Sequence, residues 1–326
     1  MLLLNEQQIR DCVPLDTRAL AAIEKAFVSL ARGEAVVPSP LEFHLPDRNG
    51  EVHVKSAYVR GLSSYALKVA SGFYGNAAKG LPNSSGLVVV LSSETGFPQA
   101  LLLDNGYLTD VRTALAGAIA AKYLAKKNVE TVGVVGAGIQ ARFQLQALAL
   151  VRRFRRVLVY ARSAEAATKY ATEMSAALKL EVEAAPDVPE LLRQSDIVVT
   201  TTPSRKPLIE ARDLHPGLHI TAMGSDLSGK QELDPAVLAR ADRLVCDQVA
   251  QCAKAGELQH ALSAKVVEPG KAVELGAVIS GEQPGRQNEE QITVCDLTGI
   301  GVQDTAIGLF AYEQARSRKL GRELDQ

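Results

Sequence analysis

The sequence predicts an α/β protein in which a parallel-sheet domain is joined to a smaller α+β domain, and three observations carry that prediction. A length of 326 residues exceeds what one small core usually serves. Before about residue 129, short β-like runs are separated by Gly, Pro, Asn and Ser clusters; beyond it, strand and helix patterns alternate. At the start of the alternating half, "TVGVVGAGIQARFQLQALA" places small residues between an apolar run and a helical pattern.

Taken in order, "LDTRALAAIEKAFVSLARG" repeats apolar side chains every three or four positions and stops at Gly33, which predicts an amphipathic helix. The runs "LEFHL", "EVHVKSAYV", "YALKVASGFY", "GLVVVLSSETG" and "PQALLLDNG" predict an antiparallel meander. "TDVRTALAGAIAAKYLA" predicts a helix with Thr109 as N-cap and Val111, Leu115, Ala118 and Ile119 on one face. The strand candidates "TVGVVG", "VLVYA", "LEVEAA", "IVVTTT", "HITAMG" and "RLVCD" then alternate with helical patterns, as in a Rossmann-type parallel sheet. Residues 303–319 predict a last helix that returns to the first lobe.

Composition narrows the function. Lys plus Arg (36) balances Asp plus Glu (37), so no basic field speaks for nucleic acid and a small-molecule partner is expected. No apolar run reaches the roughly 18 to 20 residues of a membrane span. Cys12, Cys246, Cys252 and Cys295 form no CxxC pair, and the N-terminus is too poor in apolar residues for a signal peptide, so a cytoplasmic protein with free thiols is expected.

Gly136, Gly138 and Ala141 fit G-x-G-x-x-A between strand and helix, where small residues let the backbone approach a pyrophosphate and the helix start, including Ile139 and Gln140, offers N–H donors. The next strand ends not in an acidic residue suited to the ribose 2′-hydroxyl of NAD but in Ala161, Arg162 and Ser163. That leans the expected cofactor, NAD(P)H, towards NADPH, although Arg162 also suits solvent or stacking on adenine. Ligands meet the carboxyl ends of the strands, so Thr200, Thr201, Thr202, Met223 and Gly224 are further cofactor-side candidates. Asp226 follows them as a carboxylate able to exchange a proton, or else to cap a turn. His215 and His219 are separated by Pro216 and Gly217, and Cys252 with His260 lacks ligand spacing, so no metal is expected. Tyr74 and Asn76 read more simply as a turn than as pocket lining.

The segments "DNGYLTDVRTALAG", "VGVVGAGIQAR", "VVTTTPS", "TAMGSD" and "LTGIGVQDTAI" resemble, in order and spacing, the ornithine cyclodeaminase/mu-crystallin family, over nearly the whole chain. Within it the chain is most similar to the ectoine-utilisation cyclodeaminase-like branch and the related iminosuccinate reductases. The resemblance implies a homodimer with a substrate-binding and dimerisation domain (1–118 with 303–326) and a dinucleotide-binding domain (119–302). It also implies an NAD(P)-dependent enzyme acting on an amino or imino acid. By that resemblance Lys68 is a catalytic, substrate-binding lysine, Arg112 the carboxylate clamp and Asp226 the acid/base.

Two positions depart from the cyclodeaminase pattern. Lys55 stands where those enzymes carry a glutamate that meets a distal amino group, and a lysine there favours a second carboxylate instead. Glu42 stands where many relatives carry an arginine, and could pair with Lys55 or Arg112 or turn to solvent. The expected reaction is therefore reduction of a small α-imino acid, iminosuccinate being the specific expectation. The alternatives are a true cyclodeaminase and a crystallin-like NADP-binding protein with little turnover.

Overall fold

A computed structural model describes residues 1–325. The chain forms two compact units, one comprising Met1–Arg112 and the chain from Ile300 onward, the other Thr113–Gly299. The divisions fall at 112/113 and 299/300. The first lies inside a continuous helix, Tyr107–Leu124, so no linker composition marks it.

The first unit contains β1 (Leu2–Leu4), α1 (Glu6–Cys12), α2 (Thr17–Ala31), β2 (Ala35–Val36), β3 (Leu41–Leu45), β4 (Gly50–Val59), β5 (Ser64–Phe73), β6 (Ser84–Ser92), β7 (Pro98–Leu102) and the start of α3 (Tyr107–Leu124). The C-terminal part adds α11 (Gly301–Ser317) and β18 (Arg322–Glu323), numbered by their place in the chain. Its sheet runs β18-β1-β7-β6-β5-β4-β2, with β3 also on β4. The meander β3 to β7 is antiparallel, whereas β1 lies parallel to β7, a pairing that three leucines alone did not announce. Asp16 caps α2 by accepting from the N–H groups of Arg18 and Ala19. Thr109 is not the cap of α3: the helix starts two residues earlier, and the Asp104 carboxylate accepts from the Leu108 N–H at 2.8 Å. Nor is α3 amphipathic, since its alanines are buried almost all round, which small side chains permit.

Alternation sets the two faces of the sheet. On β4, Lys55, Ala57 and Val59 are buried, and α11 crosses this face. Gly301 makes the crossing possible, because a Cβ there would meet the Ser56 carbonyl at 2.1 Å. The opposite face leaves Leu41, Phe43 and Tyr58 exposed.

The second unit contains β8 (Thr131–Val135), α4 (Ile139–Leu148), β9 (Arg156–Tyr160), α5 (Ala164–Leu178), β10 (Glu181–Ala184), α6 (Val188–Gln194), β11 (Ile197–Thr200), β12 (Arg205–Ile209), β13 (His219–Ala222), β14 (Gln231–Leu233), α7 (Pro235–Arg240), β15 (Arg243–Cys246), α8 (Val249–Ala255), α9 (Glu257–Ser263), β16 (Ala272–Glu274), α10 (Leu275–Ser280) and β17 (Thr293–Asp296). An eight-stranded, wholly parallel sheet runs β10-β9-β8-β11-β13-β17-β15-β16, and β12 pairs with β14 apart from it. The strand order reverses beside β8, the switch point where doubly wound sheets receive ligands. Two apolar clusters form its core, one with Val134, Leu145 and Tyr170, the other with Leu191, Ile220 and Val294. No helix among the described residues is long and apolar enough to cross a membrane.

Candidate active site

In the first unit Lys55 and Lys68 are direct partners across the antiparallel β4–β5 pair, with Val88 beyond Lys68 on β6. Directly opposed side chains share a face, and like charges so placed disfavour the pairing. Both lysines are nevertheless buried.

The first turn of α11 supplies the compensation. The Thr305 hydroxyl lies 2.8 Å from the Ala57 carbonyl and 3.2 Å from that of Ala66, pinning the turn across β4 and β5. This seats Asp304 so that Oδ1 is 3.2 Å from Lys68 Nζ and 3.1 Å from Arg112 Nε. Both are ion-pair distances, but neither oxygen of Asp304 receives a well-directed hydrogen bond. Arg112 Nη1 donates to Gln303 Oε1 at 3.0 Å, while Arg112 Nε and Gln303 Nε2 are buried without a well-directed hydrogen bond. Buried polar groups are ordinarily paired, so this concentration of incompletely satisfied ones makes the place a candidate site.

The protonation states follow from these neighbours. Burial pushes Lys68 down to about 7; Asp304 opposes that fall, and the positive charges of Arg112 and Lys55 add to it. Burial pushes the Asp304 carboxyl up, but the charges of Arg112, Lys68 and Lys55 outweigh it and hold the group below its ordinary value. Asp104, between β7 and α3, is pushed up by burial. Lys68 and Arg112 thus share one ionised carboxylate, with Lys55 opposite Lys68 on the neighbouring strand. Glu42 stays outside this group: on β3 it pairs with His53 at 3.4 Å. Tyr74 donates to Glu51, and Asn76 to the Pro82 carbonyl in a turn.

The glycine turn of the second unit fits a dinucleotide. Gly136 has φ +116°, a conformation L side chains rarely adopt, and a Cβ there would meet Thr201 Oγ1 at 2.5 Å. Gly138 caps α4 without a side-chain hydrogen bond, and the space around its would-be Cβ is open, which leaves room for a phosphate to approach the helix start. Ala141 is buried under the helix and Ile139 is exposed at its start. Arg142 holds this turn by donating to the carbonyls of Ala137 and Gly138 at 2.6 and 3.0 Å. Arg162 is exposed after β9, and Ser163 caps α5 by accepting from the Ala166 N–H.

The remaining candidates are organised by Glu232, a fully buried carboxylate on β14. Its oxygens accept from Thr200 Oγ1 (2.5 Å), the Thr202 N–H (2.6 Å) and the Gly224 N–H (2.8 Å), tying together the chain beyond β11 and β13. Thr200 is thereby committed inward, whereas Met223 is only partly buried. Thr201 Oγ1 reaches the Val135 carbonyl at 3.3 Å. Asp226, on the same crest, has a half-exposed side chain and pairs with Lys230 at 2.7 Å. Glu257 in turn accepts from the N–H groups of Glu232 and Leu233, and burial pushes it up to about 9.

His215 bonds the carbonyls of Leu192 and Ser195, and His219 sits between Thr293 and Thr221, so the two histidines serve different neighbours. All four cysteines are free. Spacing did not reveal that Cys246, Cys252 and Asp296 bring ligand-type atoms within 4.8 Å of one another; burial pushes the Cys252 thiol far up.

Sequence reasoning missed Gln303, Asp304, Glu232 and Arg142. For the first two the sequence shows that two adjacent polar residues interrupt the apolar run "GIGVQDTAIGLFA", but not what they meet.

The ornithine cyclodeaminase/mu-crystallin family model matches residues 2–319. An uncharacterized cyclodeaminase, y4tK, of Sinorhizobium fredii is 46% identical over 323 residues, covering 98% of each chain. The structure of the iminosuccinate reductase of Paracoccus denitrificans in complex with NAD+ is similar at a TM-score of 0.93 and 34% identity, over 100% of this chain and 99% of that one. The structure of Thermococcus litoralis Delta(1)-pyrroline-2-carboxylate reductase with NADH and L-proline gives a TM-score of 0.93 at 30% identity, over 99% of this chain and 100% of that one. Extending over both units, these likenesses establish that the chain belongs to the ornithine cyclodeaminase/mu-crystallin family.

Proposed function

We propose that the protein is an NAD(P)H-dependent reductase of small α-imino acids, with iminosuccinate as its substrate and aspartate as its product. The observation that carries this reading is the cluster of Lys55, Lys68 and Arg112 around the single ionised Asp304. Arg112 and Lys68 hold the α-carboxylate and the imine nitrogen, and Lys55 holds the side-chain carboxylate. Asp226, half-exposed, delivers or orients the proton at nitrogen. When bound, the reduced nicotinamide supplies the hydride that goes to the imine carbon. Gly136, Gly138 and the first N–H groups of α4 support the pyrophosphate, and Arg162 with Ser163 favours the 2′-phosphate of NADPH.

The exposed apolar face of β3 and β4, with Leu41, Phe43 and Tyr58, supports a homodimer in which that face is covered. A second reading, cyclodeamination of a diamino acid, is favoured by the likeness to the Sinorhizobium fredii protein. Mixing oxaloacetate, ammonium and NAD(P)H with the enzyme separates the two. Reductase activity consumes one reduced cofactor per aspartate formed. Ammonia release from ornithine with no net change in cofactor, and no aspartate from oxaloacetate, contradicts the proposal.

A further inference from the structure

We propose that Asp304 is a positioning residue that holds Lys68 and Arg112 as one unit and keeps the proton on Lys68 available for an incoming anion. The inference rests on the reading of Lys68 and Arg112 as the anion site. Neither composition nor the glycine turn points to Asp304; its place in the folded chain does.

The surroundings of Lys68 are specific. Lys55 faces it from β4, Arg112 from α3 and Asp304 from α11; Asp104 adds a carboxyl from the segment between β7 and α3, and β6 contributes only Val88. Two of these groups are cations, and an ammonium enclosed with them in a dry pocket sheds its proton. Asp304 Oδ1 lies within ion-pair distance of Lys68, and the same atom reaches Arg112. The position of that oxygen is set by backbone geometry: Gly301 lets α11 approach the Ser56 carbonyl, and Thr305 anchors the turn on Ala57 and Ala66. The α11 N-terminus adds positive potential that keeps the first-turn carboxylate ionised.

The balance is close, since Lys68 is left near 7 with Asp304 in place. A substrate carboxylate entering beside Lys68 tips it to the ammonium form, so binding of an anion takes up a proton at neutral pH and above. Lys68 then meets the substrate as a charged donor, and Arg112, already oriented by the same carboxylate and by Gln303, presents its remaining donors.

The test is the titration of Lys68 followed by NMR in protein carrying ¹³Cε-labelled lysine, the resonance being assigned by its loss in Lys68→Met. In the native protein the midpoint is expected near 7. In Asp304→Asn it falls by at least one pH unit, and malonate added to the native protein raises it. Asp304→Glu, which keeps the charge, holds the midpoint within about half a unit of the native one. Asp304→Ser replaces Asp304→Asn should the amide disturb folding, which circular dichroism reports. A midpoint that stays put when the charge is removed overturns the proposal, as does an equal fall in Asp304→Glu. No turnover is needed, so a protein that reduces no imine leaves this result interpretable, and failure here leaves the reductase reading standing.

Discussion

Lys55 and Lys68 stand directly opposite each other on β4 and β5, both buried, with one ionised carboxylate, Asp304, at ion-pair distance from Lys68. Two ammonium groups on facing strand positions work against the fold. Under the proposed function, the complement of this pair is a substrate carrying more than one negative charge.

The apolar outer face of the first unit predicts an oligomer. Val89 of β6 and Phe43 of β3 are partly or well exposed, as are Leu41 and Tyr58. Val89→Asp is expected to convert a dimer into a monomer by light scattering while leaving the far-ultraviolet circular dichroism unchanged. A native protein already monomeric at micromolar concentration refutes the interface.

Cofactor choice is expected to depend on Arg162. A guanidinium bonded to a 2′-phosphate contributes about 1.5 to 3 kcal/mol, or roughly 10- to 100-fold in affinity. Arg162→Ala should therefore weaken NADPH by that factor and leave NADH nearly unchanged, as read by fluorescence titration. Equal losses for both cofactors would show that Arg162 does not read the phosphate.

The buried acids of the second unit predict a pH dependence of stability. Burial pushes Glu257 to about 9 from an ordinary 4.5. The folded chain holds a proton that the unfolded chain releases, so this group's contribution to stability is greatest below pH 4.5 and is lost as pH rises through about 9. Glu257→Gln removes that titration. Across pH 5 to 9 the urea-derived stability of the native protein should fall relative to the variant by at least about 1 kcal/mol. Parallel curves contradict it.

Much of this was legible in the residues. Alternation and turn chemistry marked β3 to β7, and the βα alternation marked the parallel sheet, because both depend on local patterns. The start of α3 was misplaced because Asp104 caps across a turn that Thr109 mimics in sequence. Glu232 and Asp304 stayed hidden because their roles come from strands and helices that meet only after folding: Glu232 joins the ends of β11 and β13, and Asp304 is carried to Lys68 from a helix at the other end of the chain. A buried carboxylate has no periodic signature.

The central claim is that Lys55 reads a second carboxylate, and the most direct test is kcat/KM for oxaloacetate plus ammonium against pyruvate plus ammonium, in the native enzyme and in Lys55→Glu. The substitution is expected to cost the dicarboxylate about 2 to 4 kcal/mol, or roughly 30- to 1000-fold, and the monocarboxylate far less. Equal losses on both substrates, or a native enzyme that prefers pyruvate, would contradict it.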